Sequence, residues 1–236
     1  MTNTLNRLAL LIFAVLSLLV AGELQAGVVV GGTRFIFPAD RESISILLTN
    51  TSQESWLINS KINRPTRWAG GDASTVPAPL LAAPPLILLK PGTTGTLRLL
   101  RTESDILPVD RETLFELSIA SVPSGKVENQ SVKVAMRSVF KLFWRPEGLP
   151  GDPLEAYQQL RWTRNSQGVQ LTNPTPYYIN LIQVSVNGKA LSNVGVVPPK
   201  SQRQTSWCQA IAPCHVAWRA INDYGGLSAK KELNLP

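Results

Sequence analysis

The sequence predicts an all-β chain built as two β-sandwich domains in tandem. Three observations predict it. Apolar residues recur with a period of two in short runs, turn residues punctuate those runs, and one proline- and glycine-rich stretch divides the chain.

Ahead of the first strand lies an address. Arg7 precedes the uncharged apolar run Leu8 to Val20, and small residues follow at Ala21, Gly22 and Ala26. That run is short for a membrane-spanning helix. Its layout fits a secretory signal over residues 1–26, cut after Ala26 to leave Gly27 to Pro236. Enough chain remains for two domains of ordinary size.

Ile44, Ile46 and Leu48 alternate with Ser45 and Leu47 before Thr49-Asn50-Thr51-Ser52, a strand entering a turn. Lys90-Pro91-Gly92 introduces a second strand over Thr96 to Leu100. Thr113 to Ile119 reads as a third, closed by Ser121-Val122-Pro123-Ser124-Gly125. Val132 to Trp144 is the longest strand candidate. The segment Arg145 to Pro153 then places three prolines and two glycines in nine residues, which breaks strands and helices alike. The domain boundary is expected there, giving domains 27–146 and 147–236. Beyond it, Gly168 to Leu171, Ile179 to Val186 and Val216 to Ala220 read as shorter strands, with Asn187-Gly188 as a tight hairpin turn. Only Leu154 to Leu160 has a helical character, of one or two turns.

The formal charge is +7, and loss of residues 1–26 removes Arg7 and Glu23 together, so the balance survives. The basic residues are dispersed, the pattern of a solvated surface, which argues against nucleic acid as a partner. No later stretch is apolar enough for membrane insertion of the mature chain. Cys208 and Cys214 are the only cysteines, and in an exported chain they read as a structural disulfide.

Catalytic chemistry finds little support. His215 is the sole histidine, so paired-histidine metal sites are excluded, and no metal or other cofactor is expected. There is no Gly-x-Ser-x-Gly elbow, and Asn187-Gly188-Lys189-Ala190 lacks the parts of a phosphate loop. Asp110-Arg111-Glu112 holds two carboxylates, but the intervening Arg111 makes it a salt-bridged turn. The chain is read as a non-enzyme.

The long strand carries more. Val132, Val134 and Met136 share one parity, while Lys133, Ala135 and Arg137 share the other. One reading is an ordinary sandwich strand, apolar within and polar without. The other is an edge strand whose apolar row stays open for a second chain, since a long unprotected edge otherwise invites aggregation.

Several motifs, in order along the chain, resemble the periplasmic pilus chaperone family typified by the P-pilus and type 1 pilus chaperones. Thr33-Arg34-Phe35-Ile36-Phe37 is similar to its first-strand motif. Pro84-Pro85-Leu86 and Lys90-Pro91-Gly92 resemble its middle segments. Leu107-Pro108-Val109-Asp110-Arg111-Glu112-Thr113-Leu114-Phe115 resembles the family signature. Lys141-Leu142-Phe143-Trp144-Arg145-Pro146 looks like the end of the seventh strand. Asn173-Pro174-Thr175-Pro176-Tyr177-Tyr178 and Ile221-Asn222-Asp223-Tyr224-Gly225-Gly226 match two motifs of the second half. The chain departs from the pattern at Glu116, where the signature usually has an aromatic residue, at Ser118, where it usually has asparagine, and at Gly31-Gly32. The compact stretch Val122 to Ala135 resembles members that serve rod-like adhesive pili.

The resemblance implies two immunoglobulin-like β-sandwich domains in a boomerang arrangement with an interdomain cleft. It implies a periplasmic chaperone that caps pilin subunits by donor-strand complementation and delivers them to an outer-membrane usher. Arg34 and Lys141 would anchor the pilin's C-terminal carboxylate, and Val132, Val134 and Met136 would be the donated row. Glu112, Arg145 and Asp223 would form an interdomain salt-bridge set. A self-capping homodimer of the free chaperone is left open. One geometric question follows, because Lys141 has the opposite parity to the donated row and an ideal strand points the two to different faces. A bulge or strong twist is one resolution. Two other classes remain. A structural or adhesive subunit of a surface fibre would share fold, export and disulfide, although Gly27-Val28-Val29-Val30 lacks a clear donor extension. A carbohydrate-active enzyme is favoured only by the six tryptophans.

Overall fold

The computed structural model describes residues 27–68, 70, 78–102, 107–125, 134–209 and 213–236. The expected signal segment 1–26 and Val132 lie outside the described residues.

The first half is a sandwich of two sheets. Its strands are β1 Val28–Val30, β2 Arg34–Pro38, β3 Ser43–Asn50, β4 Ser55–Asn63, β5 Leu80–Ala83, β6 Leu86–Leu89, β7 Thr94–Arg101, β8 Thr113–Ser124 and β9 Met136–Arg145. One sheet has the order β1-β3-β7-β5, the other β2-β9-β8-β4-β6. The amino-terminal segment crosses between them: β1 pairs with β3 in one sheet, and β2 pairs parallel with β9 in the other. Alternation explains the core. Ile46, Leu48, Ile58, Leu97, Leu99, Phe115, Leu117, Ile119 and Leu142 fill the space between the sheets, while Leu47 on the opposite parity is exposed.

Two strand expectations change. The third strand does not stop at Ile119 but continues as β8 to Ser124, with Pro123 paired against Trp56 of β4. Pro123 is tolerated because the pairing of β8 with β9 begins only at Ser121 and Met136, so no β9 residue lies opposite it. The strand expected from Val132 begins at Met136, and Val134 stands just before it. At 12 residues β8 is longer than β9, which has 10.

Between Arg145 and Arg161 the chain makes one turn of 3-10 helix, Ala156–Gln159, where the sequence has its helical stretch. The second half contains β10 Arg161–Asn165, β11 Gly168–Asn173, β12 Ile179–Val186, β13 Lys189–Ala190, β14 Val196–Val197, β15 Ser201–Thr205, β16 Cys214–Ile221 and β17 Lys231–Leu235. They form the sheets β10-β11-β15 and β13-β12-β16-β17, with β14 on β12. Asn187 and Gly188 both take positive φ, 48° and 79°, in the two-residue turn between β12 and β13. Trp162, Val169, Leu171, Leu181, Val184, Val216 and Trp218 build a separate core. Cys208 and Cys214 form a disulfide that ties the loop after β15 to the start of β16.

A third, smaller cluster joins the halves. Leu114 and Phe143 from the first domain pack with Tyr178 and Val196 from the second, flanked by Ile36 and Trp68. The fold is all-β, two sandwiches meeting at an apolar seam.

Candidate functional site

The register of β2, β9 and β8 lays out three rows of side chains on the outer face of their sheet. Residues directly opposite across neighbouring strands share a face. Arg34 lies opposite Lys141, which lies opposite Glu116. Two residues along, Ile36, Phe143 and Leu114 form the next row, and these are the first domain's contribution to the seam. Two further on, Pro38 and Arg145 are opposite, with Glu112 just ahead of β8. One face of one sheet therefore carries a basic pair, an apolar seam and an ion-pair set in succession.

The third row ties the domains together. Arg145 Nε and Nη2 lie 2.7 and 2.6 Å from Glu112 Oε1. Its Nη1 and Nη2 donate to both carboxylate oxygens of Asp223 in the second domain, at 2.7 and 3.1 Å. The other Glu112 oxygen accepts the Tyr178 backbone N–H at 2.7 Å. Burial pushes the Glu112 carboxyl up to about 7, against the pull of Arg145 and the Tyr178 N–H. Burial also works against the Arg145 charge, but hydrogen bonding to Asp223 and the charges of Glu112 and Asp223 carry its pKa above the usual guanidinium value. Asp110, expected in a salt-bridged turn with Arg111, binds Arg111 at 2.9 Å and also reaches Lys200 of the second domain at 2.8 Å. Sequence reasoning missed that second link, since nothing local to Lys200 marks it.

The first row is differently built. Arg34 is buried, and one of its Nη atoms donates to the Ile221 carbonyl across the domain interface at 2.9 Å. Its Nε is buried with no hydrogen-bond partner. Burial lowers the Arg34 pKa, with Asp223 and Glu112 opposing. Lys141 is half-buried, and its ammonium lies 4.6 Å from the centroid of the Trp68 ring. Burial, followed by repulsion from Arg34, lowers its pKa to about 8. Two like charges held together in a partly dry cleft favour an anion.

Met136, of the row expected to be donated, has the opposite parity to Lys141 and so belongs to the other face, and no bulge interrupts the pairing of β8 with β9. Phe140, Leu142 and Trp144 share the parity of Met136 and point into the sandwich. Met136 is 49% exposed, and Val134, ahead of the strand, is 63% exposed. The parity question resolves simply: the sandwich interior ends before Met136, so residues on the inward parity meet solvent. β2 pairs with β9 only from Lys141 onward, and among the described residues no strand pairs with Met136 to Phe140 on that side. An open edge thus ends where the basic pair begins. His215 is paired with Glu232 at 3.7 Å on the second domain. Among the described residues no cluster of histidine, cysteine or acidic side chains has the form of a metal site.

Comparison with known proteins gives the same frame. Residues 27–150 match the model for the pili and flagellar-assembly chaperone PapD N-terminal domain, and residues 155–232 match that for the pili assembly chaperone PapD C-terminal domain. The chain is 99% identical over its full length, and that of its relative, to the fimbrial chaperone YcbF of Escherichia coli K12. It is 32% identical to the chaperone protein FimC of the same strain, over 91% of this chain and 87% of that one. Among solved structures, a chain of the Salmonella enterica SafA pilin–SafB chaperone complex superposes with a TM-score of 0.76 at 30% identity, covering 91% of this chain and 99% of that one. With two sandwiches, an ion-paired seam and both family models matched in order, the chain belongs to the PapD-like family of pilus-assembly chaperones.

Proposed function

We propose that this chaperone captures a pilin subunit in the periplasm by lending it the open edge of β9 while clamping the subunit's terminal carboxylate between Arg34 and Lys141. The observation that carries this reading is the stretch Met136 to Phe140, which pairs with β8 on one side, has no strand on the other among the described residues, and ends at those two cations. A chain whose end is held there, and which lies along that stretch, must run in the same direction as β9. It would continue the line of β2 and extend the sheet by parallel pairing. Such capture is strand addition, a mode for which chaperone–pilin complementation is a standing example.

The magnitudes assign the parts. Val132, Val134 and Met136 would fill the acceptor groove, each worth roughly 1.5–3 kcal/mol on full burial. Each backbone hydrogen bond would add about 0.5–1.5 kcal/mol net of water. The row and the ladder then supply most of the affinity. The carboxylate, bound by charge-assisted hydrogen bonds, sets the register, since a slip of one residue would turn the apolar row away. Delivery to an outer-membrane usher, export by residues 1–26 and capping of the open edge by a second copy belong to the same reading. The disulfide suits an oxidising compartment.

The test is co-purification from the periplasm with fimbrial subunits. A one-to-one complex, absent from the finished fibre, is expected. Stoichiometric incorporation of the chain into the fibre would overturn the proposal in favour of a structural subunit.

A further inference from the structure

Lys141 is the more exposed of the two anchor cations, yet among the described residues its ammonium meets no carboxylate and no hydrogen-bond acceptor. What it meets is the face of Trp68. Trp68 comes from the segment after β4, and three contacts hold that segment against both domains. At its start the Arg64 guanidinium lies 5.3 Å from the centroid of Phe115. In the middle, Glu116 accepts the backbone N–H groups of Thr66 and Arg67, at 2.6 and 3.0 Å. Beyond Trp68, Gly70 takes a φ of +75° and lies so close to the second domain that a Cβ would stand 2.2 Å from the Val196 carbonyl oxygen.

Glu116 explains the arrangement. It is the register neighbour of Lys141 and shares its face, so an ion pair between them would be the simple outcome. Its carboxylate is instead directed to the Thr66 and Arg67 N–H groups, and the lysine is left facing an aromatic ring. A ring holds a cation by its quadrupole without neutralising it. The ring walls one side of the ammonium without supplying a counter-charge.

We propose that Trp68 is a positioning residue of the carboxylate anchor: the segment Arg64–Trp68, pinned by Glu116, lays an indole face on Lys141 that fixes the ammonium in the cleft and leaves its open side to a chain-terminal carboxylate. This inference rests on the reading of Arg34 and Lys141 as that anchor. A flexible lysine loses side-chain entropy when it binds, and a preset rotamer loses less. The burial that depresses the Lys141 pKa is consistent with the same wall.

The test uses a short synthetic peptide of alternating apolar and polar residues, made once with a free terminal carboxylate and once as the carboxamide. Binding to the full chaperone is measured by calorimetry, with thermal melts run alongside. Wild-type protein should prefer the carboxylate. Trp68→Leu keeps an apolar side chain in the seam but removes the π face. It should weaken carboxylate binding by about tenfold, within the range of a partly desolvated cation–π contact, and leave carboxamide binding unchanged. Trp68→Phe should restore most of the preference. In Trp68→Leu the Lys141 ammonium, followed by NMR, should titrate below the wild-type value, because the apolar wall stays while the ring face that favours the charged form is gone. Equal weakening of both peptides, or no weakening of either, would overturn the role of Trp68. A wild-type protein that binds both peptides equally would instead remove the anchor itself.

Discussion

Arg34 and Lys141 are register partners at the first rung of the parallel pairing between β2 and β9, and that rung is where the open edge of β9 ends. The pair marks the end of the open side of β9 among the described residues, which is where the proposed anchor would set the register of a captured chain. Alanine at Lys141 should therefore abolish subunit capture, judged by loss of the co-purified complex, with the circular dichroism spectrum unchanged. Arg34→Ala should do the same, and should also loosen the domains slightly, because Arg34 donates to the Ile221 carbonyl. Normal capture by both variants would remove the anchor.

Capture should depend on pH through Lys141. Its pKa in the free protein is lowered to about 8 by burial and by Arg34. A bound carboxylate favours the charged form and would raise that value again. Affinity should be flat below about pH 7 and fall as pH rises through 8, by up to tenfold per pH unit until the pKa of the bound state is reached. For folding the sign is opposite: the unfolded chain binds more protons between 8 and the ordinary lysine value, so stability rises with pH across that window. Calorimetric titrations at a series of pH values would check the first slope. Lys141→Arg should flatten it.

How much of this was legible in the sequence depends on range. The strands of both domains, the Asn187-Gly188 turn and the disulfide follow from local pattern. The motifs around Glu112, Arg145 and Asp223 pointed to an ion-paired set, and the structure brings those three side chains into contact. The extent of β8 was underestimated, because a proline near a strand end is compatible with pairing once one neighbour has run out. The strand pattern shows the parity of Lys141 but not how far the sandwich beneath the strand extends, so the bulge offered as one resolution is not found. The contact of Trp68 with Lys141 leaves no local trace at all. Glu116 in place of the usual aromatic residue was the one visible sign that this face is built differently.

The donated row should be separable from stability. Met136 and Val134 are exposed in the free protein, so Met136→Asp and Val134→Asp should each shift the unfolding midpoint negligibly, as surface changes generally do. Each should weaken subunit binding by about 1.5–3 kcal/mol, the value of the burial it prevents. Denaturant melts and binding isotherms on the same samples would decide. A large loss of stability would mean that the row packs into its own domain.

Reduction of the Cys208–Cys214 bond should cost the second domain about 2 kcal/mol in the chain-entropy view, as expected for so short a closed loop. The first domain should be unaffected, because its core is separate. Hydrogen exchange with and without reductant would show whether protection falls only in β15 and β16.

The ion-pair set should hold the domain angle, and its cost on disruption should depend on pH. Glu112 is buried, and its carboxyl titrates at about 7 against an ordinary value of 4.5. The folded protein thus binds more protons than the unfolded chain between those values, and the stability contributed by this group falls as pH rises through the window. Arg145→Ala leaves the Glu112 carboxylate with the Tyr178 N–H as its partner from the second domain and strands Asp223 opposite. A buried charge without its partner costs about 3 kcal/mol. At pH 8 that full loss is expected, together with a wider spread of interdomain angles by small-angle scattering. At pH 5.5 Glu112 in the variant should be protonated, which removes the stranded charge and shrinks the loss. Arg145→Ala combined with Glu112→Gln should lose little more at pH 8 than at pH 5.5. An equal loss at both pH values for the single variant would show that Arg145 acts through Asp223 or through packing against Tyr177, whose ring centroid lies 5.3 Å from its guanidinium, and not through the Glu112 charge.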